Sequence, residues 1–551
     1  MDISELFSAL QEYAATNPNA LRKDTSGFWN LPGGATTGIN YYDLELGAKT
    51  LVPIITPLRN KIPRVSGKGG IQANWRAIVG LNVSSTNTAY NSAVAYNGPV
   101  GGAVADGNRN AYVQTQTRDF TAAYKQIGLE DYVSFGADLA AQGFDDLKAL
   151  SVRNLLWATM IEEEWITLGG CGTVAITTIT PTPTLSSAAT PASAGSLTNS
   201  STYSVRCVAL TLDGYRRSTV AGGLPGVITF TTADGTTGQT YNAGCAKASA
   251  AATQVCAASL IINAYVTAVP GAVAYAWFWA TGAGTGGEVL GAITTLPYYS
   301  ITAAAGGTQT VLGASGQIPG NSSSVAYDTS LNTNSFDGIL TMCGNVNYQP
   351  AYTTGTIVGS PTAPTPWTVL PNGTINGTTG VYVGTVLTAD GQGGIVEIDN
   401  VLKWFWDTYR LSPTDIYVSS QEQTNISKKI LVGPSAGTSS ARFVFESQQG
   451  VLAGGYMVKS YMNRYSMAGA KDIPIHLHPN MPPGTILFYT DVLPYPLSNV
   501  SNVLQYRVLR DYYQIEWPLR TRRYEYGVYL HSVLQNYFPP AFSVLTGIAN
   551  G

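Results

Sequence analysis

The stretch "TRRYEYGVYLHSVLQNYFPPAFSVLTGI", Thr521 to Ile548, decides how this chain is read. Terminal residues of most domains fray unless something ties them down. Here aromatics alternate with smaller residues, a Pro-Pro follows, and a run of apolar residues comes after it. That pattern predicts strands that belong to the structure, continuing from closing strands that begin near Gln505.

The rest of the composition points toward β-rich architecture. At 551 residues the chain has room for several domains of about 100–200 residues each. Apolar residues make up 44%, enough for real cores, whereas charged residues make up only 11%, against about 25% in a typical domain. Sparse charge suits a protein that buries much of its surface against copies of itself. The net charge is −3 and no Lys/Arg run occurs, so no nucleic-acid footprint is visible. The five cysteines (171, 207, 245, 256, 343) form no metal spacing. They read as free, buried thiols of a reducing cytosol, with a Cys245–Cys256 bridge as the alternative. The opening "MDISELFSALQEYAATNPNALRKD" lacks the basic and apolar regions of a signal peptide. No window is apolar enough for a membrane span.

Residues 3–15 read as a short amphipathic helix, followed by a Gly/Pro/Thr-rich arm. "LVPIITPLRNKIPRVSGKGGIQANWRAIVG" reads as one long strand arm and "AYVQTQTRDFTAAYKQIGLE" as its return, with a flexible tip between them. Such a finger has little core of its own and should rest on something else. In "FDDLKALSVRNLLWATMIEEEWITLGG", Leu147, Leu150, Leu155, Ala158, Ile161, Trp165 and Leu168 recur at helical steps until Gly169-Gly170. Residues 171–335 carry only eight charges and short alternating runs such as "TYSVRCVALTLDG" and "GAVAYAWFWATG". That is the pattern of a β-sandwich, similar to fibronectin type III or immunoglobulin-like modules. Beyond it, "VEIDNVLKWFWDTYRL" predicts a helix with Val401, Leu402, Phe405, Trp406 and Tyr409 on one face. "SPTDIYVSS" predicts a strand, and "SSQEQTNISKKIL" a helix capped with Gln423 at the third position. "RFVFES" and "GYMVKSYMN" predict further strands.

No catalytic constellation emerges. "GPSAG" around Ser435 matches a nucleophile elbow but lacks the strand before and the helix after. "HLHP" puts His476 and His478 on one strand face, a start for a metal site without further ligands nearby; packing at the strand end is the alternative. "SGKGG" (66–70) lacks the first Gly and the Ser/Thr of a phosphate loop. Glu162, Glu163 and Glu164 point to different faces of a helix, which disfavours paired acid/base work and favours a solvated or interface surface. The sequon at Asn372 means nothing without secretion. The chain therefore reads as a non-enzyme, with no catalytic, cofactor-binding or metal residue assigned.

The charges are unevenly placed. Between Leu46 and Ala105 there are six bases (Lys49, Arg59, Lys61, Arg64, Lys68, Arg76) and no acid. Between Gly128 and Leu168 there are eight acids, including Asp145, Asp146 and Glu162 to Glu164, against Lys148 and Arg153. One reading is two solvated faces. The other is an inter-subunit contact, in which the finger residues Arg59, Lys61, Arg64, Lys68 and Arg76 of one copy meet Asp145, Asp146 and Glu162–Glu164 of the next.

The order of these parts resembles the major capsid proteins of tailed phages, with their Hong Kong 97 type fold. "RTRRYEYGVYLHSVLQNYFPPAFSVLTGI" looks like that family's final strand pair. "RVSGKGGIQANWRAI" and "VQTQTRDFTAAYKQIGLEDYVSFGADL" look like the arms of its E-loop. "NVLKWFWDTYRLSPTDIYVSSQEQTNISKKIL" looks like its A-domain. The resemblance covers about residues 1–170 and 336–551. It implies an α+β fold with an N-terminal arm (1–48), an E-loop (49–125), a P-domain with a spine helix (126–170), an A-domain (336–500) and C-terminal P-domain strands (501–551). An all-β immunoglobulin/fibronectin-III-like insertion occupies 171–335. The implied function is a virion shell of hexamers and pentamers, assembled in the bacterial cytoplasm around double-stranded DNA. The implied partners are further copies, a separate scaffolding protein, portal and decoration proteins, and DNA contacted non-specifically, with no membrane and no cofactor. Some relatives cross-link a finger lysine to a distant Asn; Lys61 and Lys68 are on the finger, but no partner Asn is identified. A secreted or surface β-sandwich adhesin that binds carbohydrate is the alternative, and would need a signal or an anchor.

Overall fold

The computed structural model describes residues 47–82, 105–109, 114–143, 145–177, 179–232, 237–282, 287–311, 328–344, 367–432, 446–447, 450–451, 457–466, 469–495 and 497–551. The expected helix at 3–15, nearly all of the arm, the finger tip, the Ser435 loop and most of "RFVFES" lie outside them. Contacts divide the chain into residues 1–51 with 141–145, and residues 52–140 with 146–551. The second unit holds the sheets and the long helix.

The expected single strand arm from residue 51 to 80 is corrected. Helix α1 (Pro57–Lys61) and strand β1 (Arg64–Ser66) come first. Proline explains the break: Pro57 occupies the first turn, where a missing N–H costs nothing and its fixed φ suits a helix. Gly69 and Gly70, at φ +96° and +87°, then turn the chain. Only after them does the two-stranded ribbon begin. It pairs β2 (Gln72–Asn82) with β3 (Gln114–Ala123), from Gln72 opposite Ala123 to Asn82 opposite Gln114. One ribbon face stacks Trp75 on Phe120. The other exposes Arg76 paired with Asp119.

Strand β4 (Lys125–Ser134) and the short helix α2 (Phe135–Ala141) lead to α3, Leu147–Gly169. Asp146 caps α3 by accepting from the N–H groups of Lys148 and Ala149. The helix was legible but its buried face was not. Ser151, Leu155, Thr159, Glu163 and Thr167 are buried, whereas Leu147, Leu150 and Ile161 are half-buried and Ala158 is exposed. The polar stripe is affordable because it finds partners: Ser151 donates to Asp131 at 2.5 Å, and the hydroxyls of Thr167 and Tyr506 lie 2.5 Å apart.

Residues 171–335 contain β5 (Thr184–Ser186), β6 (Thr202–Leu210), helix α4 (Leu212–Arg217), β7 (Val227–Thr231), β8 (Thr237–Asn242), β9 (Ala252–Val255), β10 (Ile262–Tyr265), β11 (Ala274–Thr281), β12 (Val289–Thr294) and β13 (Tyr298–Ile301). Two sheets form, ordered β13-β10-β5 and β12-β11-β6-β9, beside a β7–β8 hairpin. The segment is thus not all-β, because α4 interrupts it. Strand β11 is buried on both sides. Tyr275, Trp277 and Trp279 join one core with Val205 and Ile262; Ala276 and Phe278 join another with Leu210 and Leu224. All five cysteines are free and buried, as expected, without a Cys245–Cys256 bridge.

The remaining elements are α5 (Ile339–Gly344), β14 (Trp367–Val369), β15 (Thr374–Ile375), β16 (Tyr382–Val383), α6 (Val396–Tyr409), β17 (Asp415–Val418), α7 (Ser420–Val432), β18 (Glu446–Ser447), β19 (Gly450–Val451), β20 (Ser460–Asn463), β21 (Lys471–Leu477), β22 (Ile486–Tyr489), β23 (Leu504–Glu516), β24 (Arg523–Asn536) and β25 (Ser543–Thr546). Helix α6 buries Val401, Leu402, Phe405 and Tyr409, four of the five expected residues. Helix α7 is capped one residue earlier than expected: Ser419 Oγ accepts from Glu422 N at 3.3 Å, so Glu422 takes the third position.

The C-terminal stretch serves two sheets. Strand β24 lies between β23 and β4, and β1 runs parallel to β23, giving the order β1-β23-β24-β4 against α3. After Pro539-Pro540, β25 takes an interior place, second from the edge, in the six-stranded sheet β14-β25-β22-β17-β21-β20. One core cluster runs through both sheets, from Leu58 and Ile166 to Phe488, Leu534 and Leu545.

Candidate functional site: an acidic triple on the long helix

Successive helical residues are rotated by about 100°, so Glu162, Glu163 and Glu164 leave α3 in three directions. Glu162 reaches residues 212–217, while Glu163 and Glu164 share the segment around Arg59 and each reaches one further strand or strand end.

Glu162 faces residues 171–335. It accepts from Arg216 Nη2 at 2.8 Å and lies 3.7 Å from Arg217 Nη2, both at the end of α4. The Arg216 guanidinium sits 4.7 Å over the Trp165 ring. This contact reinforces a tight joint. Asp337 Oδ1 accepts from Gly172 N at 2.6 Å and Thr173 N at 3.0 Å, and Gly338 N donates to Gly170 O at 2.8 Å.

Glu163 is fully buried. Its Oε2 accepts from Arg59 Nε at 3.1 Å, from Arg64 Nη2 and from the Tyr512 hydroxyl. Both guanidinium groups lie over the Tyr512 ring, at 5.2 and 5.0 Å. Burial raises the Glu163 carboxyl above the usual carboxylate range, against the pull of Arg64, Tyr512 and Arg59. Arg64 also reaches Asp511 at 3.0 Å.

Glu164, equally buried, closes the start of α1. Its Oε1 accepts from Leu58 N at 3.0 Å and its Oε2 from Arg59 N at 2.7 Å, two donors that a helix start leaves without intrahelical partners. His478 Nε2 lies 2.7 Å from the same Oε1. Asn480 N donates to His478 Nδ1, so the hydrogen sits on Nε2, which donates to Glu164.

A fourth carboxylate takes the remaining base of residues 57–66 and the other histidine of the HLHP stretch. Asp415, at the head of β17, accepts from Lys61 Nζ and from His476 Nε2, the latter at 2.8 Å. Burial opposes its ionisation, but the hydrogen bonds from Lys61, Thr414 and His476 hold its carboxyl below the ordinary value.

The expected acidic surface is therefore corrected: Glu163 and Glu164 are interior. Arg59 and Arg64 meet Glu163 within one chain, because residues 57–66 are packed against α3 and do not belong to the ribbon. Lys61 pairs with Asp415. Of the five finger bases named above, Lys68 and Arg76 stand exposed, and Arg76 pairs with Asp119. Asp146 is a cap, and Asp145 belongs to the smaller unit. The sequence reading missed Tyr512, Arg216, Arg217, Asp415 and the division of the two histidines between two carboxylates. That division runs against a shared metal, and among the described residues no group of three His, Cys, Asp or Glu could hold an ion. Among them no helix is long and apolar enough to cross a membrane. What the arrangement does is hold four segments on one rod: residues 216–217, residues 58–64, His478 and Tyr512.

No family model matches the sequence, and no curated protein matches it. Among solved structures, the chain is similar to the capsid of Myoviridae phage XM1, at 8% identity over 93% of this chain and 100% of that one, with a TM-score of 0.36. It is similar to the capsid of a native GTA particle, at 8% identity over 96% and 100%, with a TM-score of 0.37. It is also similar to the capsid of cyanophage P-SCSP1u, at 8% identity over 94% of each chain, with a TM-score of 0.34.

Proposed function

We propose that this chain is a major capsid protein of a tailed double-stranded DNA phage. Copies would form the hexamers and pentamers of an icosahedral shell, with a separate scaffolding protein, a portal and decoration proteins as partners. The observation that carries this reading is the ribbon β2–β3, rooted beside a sheet whose strands come from both halves of the chain and which is backed by α3. A two-stranded ribbon is marginal alone, and its Arg76–Asp119 face points to solvent in the single chain. In a shell that face would lie on a neighbour. The ribbon then corresponds to the E-loop, α3 with β1-β23-β24-β4 to the P-domain, and the six-stranded sheet to the A-domain of a Hong Kong 97 type fold. Residues 171–335 are an immunoglobulin-like insertion fixed to the shell by Glu162 and Asp337. The contact between copies is carried by the ribbon with Lys68 and Arg76, while Arg59 and Arg64 serve the interior. Many modest contacts of this kind sum to a strong shell.

Electron microscopy of the purified protein, with and without a scaffold partner, tests this. Closed particles with the ribbon on an adjacent copy are expected. Discrete monomers under all conditions would overturn it.

A further inference from the structure

Residues 171–335 meet the rest of the chain a second time, through the sheet β13-β10-β5 rather than through α4. Asn263 on β10 and Ser300 on β13 are cross-strand neighbours. Asn263 is 1% exposed, and a buried amide is costly unless its polar atoms are met. Its Oδ1 accepts from Ser300 Oγ at 2.6 Å, and its Nδ2 donates to Gly380 O at 2.9 Å. Ser300 Oγ in turn accepts from Tyr382 N at 2.8 Å. The relay thus starts and ends on the backbone of the β15–β16 hairpin, which lies beyond residue 335 in sequence. The Tyr298 and Tyr382 rings, 5.3 Å apart, pack beside it. The C-terminus reaches the same place. A Cβ on Gly384 would overlap Tyr298 Oη and crowd the Ala549 Cβ, so the absence of a side chain there lets three segments meet. Ala549 N donates to Thr385 O at 3.0 Å, and Ile548 N to Gly484 O at 3.2 Å in the turn before β22.

We propose that residues 171–335 act as a brace, attached at Glu162 to the end of α3 and at Asn263 to the segments that follow β14 and β25. Through it the long helix and the edge pair of the six-stranded sheet are held at one relative setting. The proposal goes beyond the shell reading and holds for a single chain whether or not copies assemble. The rival is a module carried only for display, which needs no second attachment. A brace makes its two ends energetically coupled, and such coupling is reciprocal. Independent contacts at two distant places would instead respond separately.

Hydrogen exchange followed by mass spectrometry on the full-length protein is the test. It compares wild type with Asn263→Leu, with Glu162→Ala and, as a control, with Thr253→Ala, an exposed position on the edge strand β9. Asn263→Leu should speed exchange in residues 374–383 and 547–549 by about tenfold or more, the scale of a buried hydrogen bond lost with its partner left behind. Glu162→Ala should speed exchange in residues 212–217 and, because a brace cut at one end slackens at the other, in 374–383 as well. Asn263→Leu should show the reciprocal effect in 212–217. Thr253→Ala should change neither. Effects confined to the end that was cut would make these independent contacts and overturn the proposal. So would an unchanged hairpin in Asn263→Leu. If that variant also strips protection from β11, the segment itself has unfolded, and Ser300→Ala, which removes one hydroxyl, then decides by the same criteria.

Discussion

His478 donates to Glu164 at 2.7 Å, and neither side chain reaches solvent. The pair joins the end of β21 to α3, and through the same carboxylate to the start of α1. Removing the carboxylate would strand an imidazole N–H and two backbone N–H groups in the interior. Breaking a buried pair from one side typically costs about 3–5 kcal/mol. Glu164→Ala is expected to lose stability on that scale in chemical denaturation. Glu164→Gln, which keeps one acceptor oxygen, should lose clearly less. Equal losses would mean that the hydrogen bonds contribute little.

Glu422 predicts an unusual pH dependence. It is buried at the start of α7, and burial pushes its carboxyl from 4.5 up to about 7, against hydrogen bonds from Asn425 and Gly484 N. A carboxyl raised on folding favours the protonated native state. Its contribution is fully present below about pH 4.5 and is lost as pH rises through about 7. The full swing is on the order of 3 kcal/mol. Thermal melts of Glu422→Gln should show a flatter profile from pH 5 to 9, with higher stability than wild type at the alkaline end. A variant profile parallel to the wild type would refute the assignment.

The joint between α3 and residues 171–335 depends on a close backbone approach. A Cβ on Gly170 would sit 2.3 Å from Phe336 O, whereas one on Gly136 in α2 would meet nothing within 4 Å. Gly170→Ala is expected to cost about 3 kcal/mol or more, as overpacking against backbone does. Gly136→Ala should be neutral or slightly stabilising, because alanine has the better helix propensity. Melting temperatures of the two variants make the comparison.

Strand β25 offers a check on the C-terminal stretch. Leu545 is fully buried between β14 and β22, while Leu497 is 96% exposed. Leu545→Ala should cost about 2–5 kcal/mol, and Leu497→Ala should stay within about 0.5 kcal/mol. Similar melting temperatures for both would mean that β25 does not hold the sheet.

Local pattern carried the element types well. Alternation marked the strands from Gln505 onward, and the Gly pair marked the end of α3. Pro57 carried a helix-start signal that the alternating residues around it masked. What hydrophobic spacing could not supply was the buried face of α3. Its polar stripe is favourable only because Asp131, Tyr506 and Tyr512 stand opposite. Those partners lie up to 349 residues away in sequence. The burial of Glu163 and Glu164 was hidden for the same reason. A run of three acids looks solvated until Arg59, Arg64 and His478 are folded onto it.

The two-sheet path of residues 521–548 also sets an order of events during synthesis. Strands β1, β4 and β14 emerge from the ribosome long before β24 and β25 are made. Neither sheet can close until those late strands arrive. The native places of β1 and β4 in one sheet, and of β14 in the other, are therefore completed only once residues 521–548 have been made.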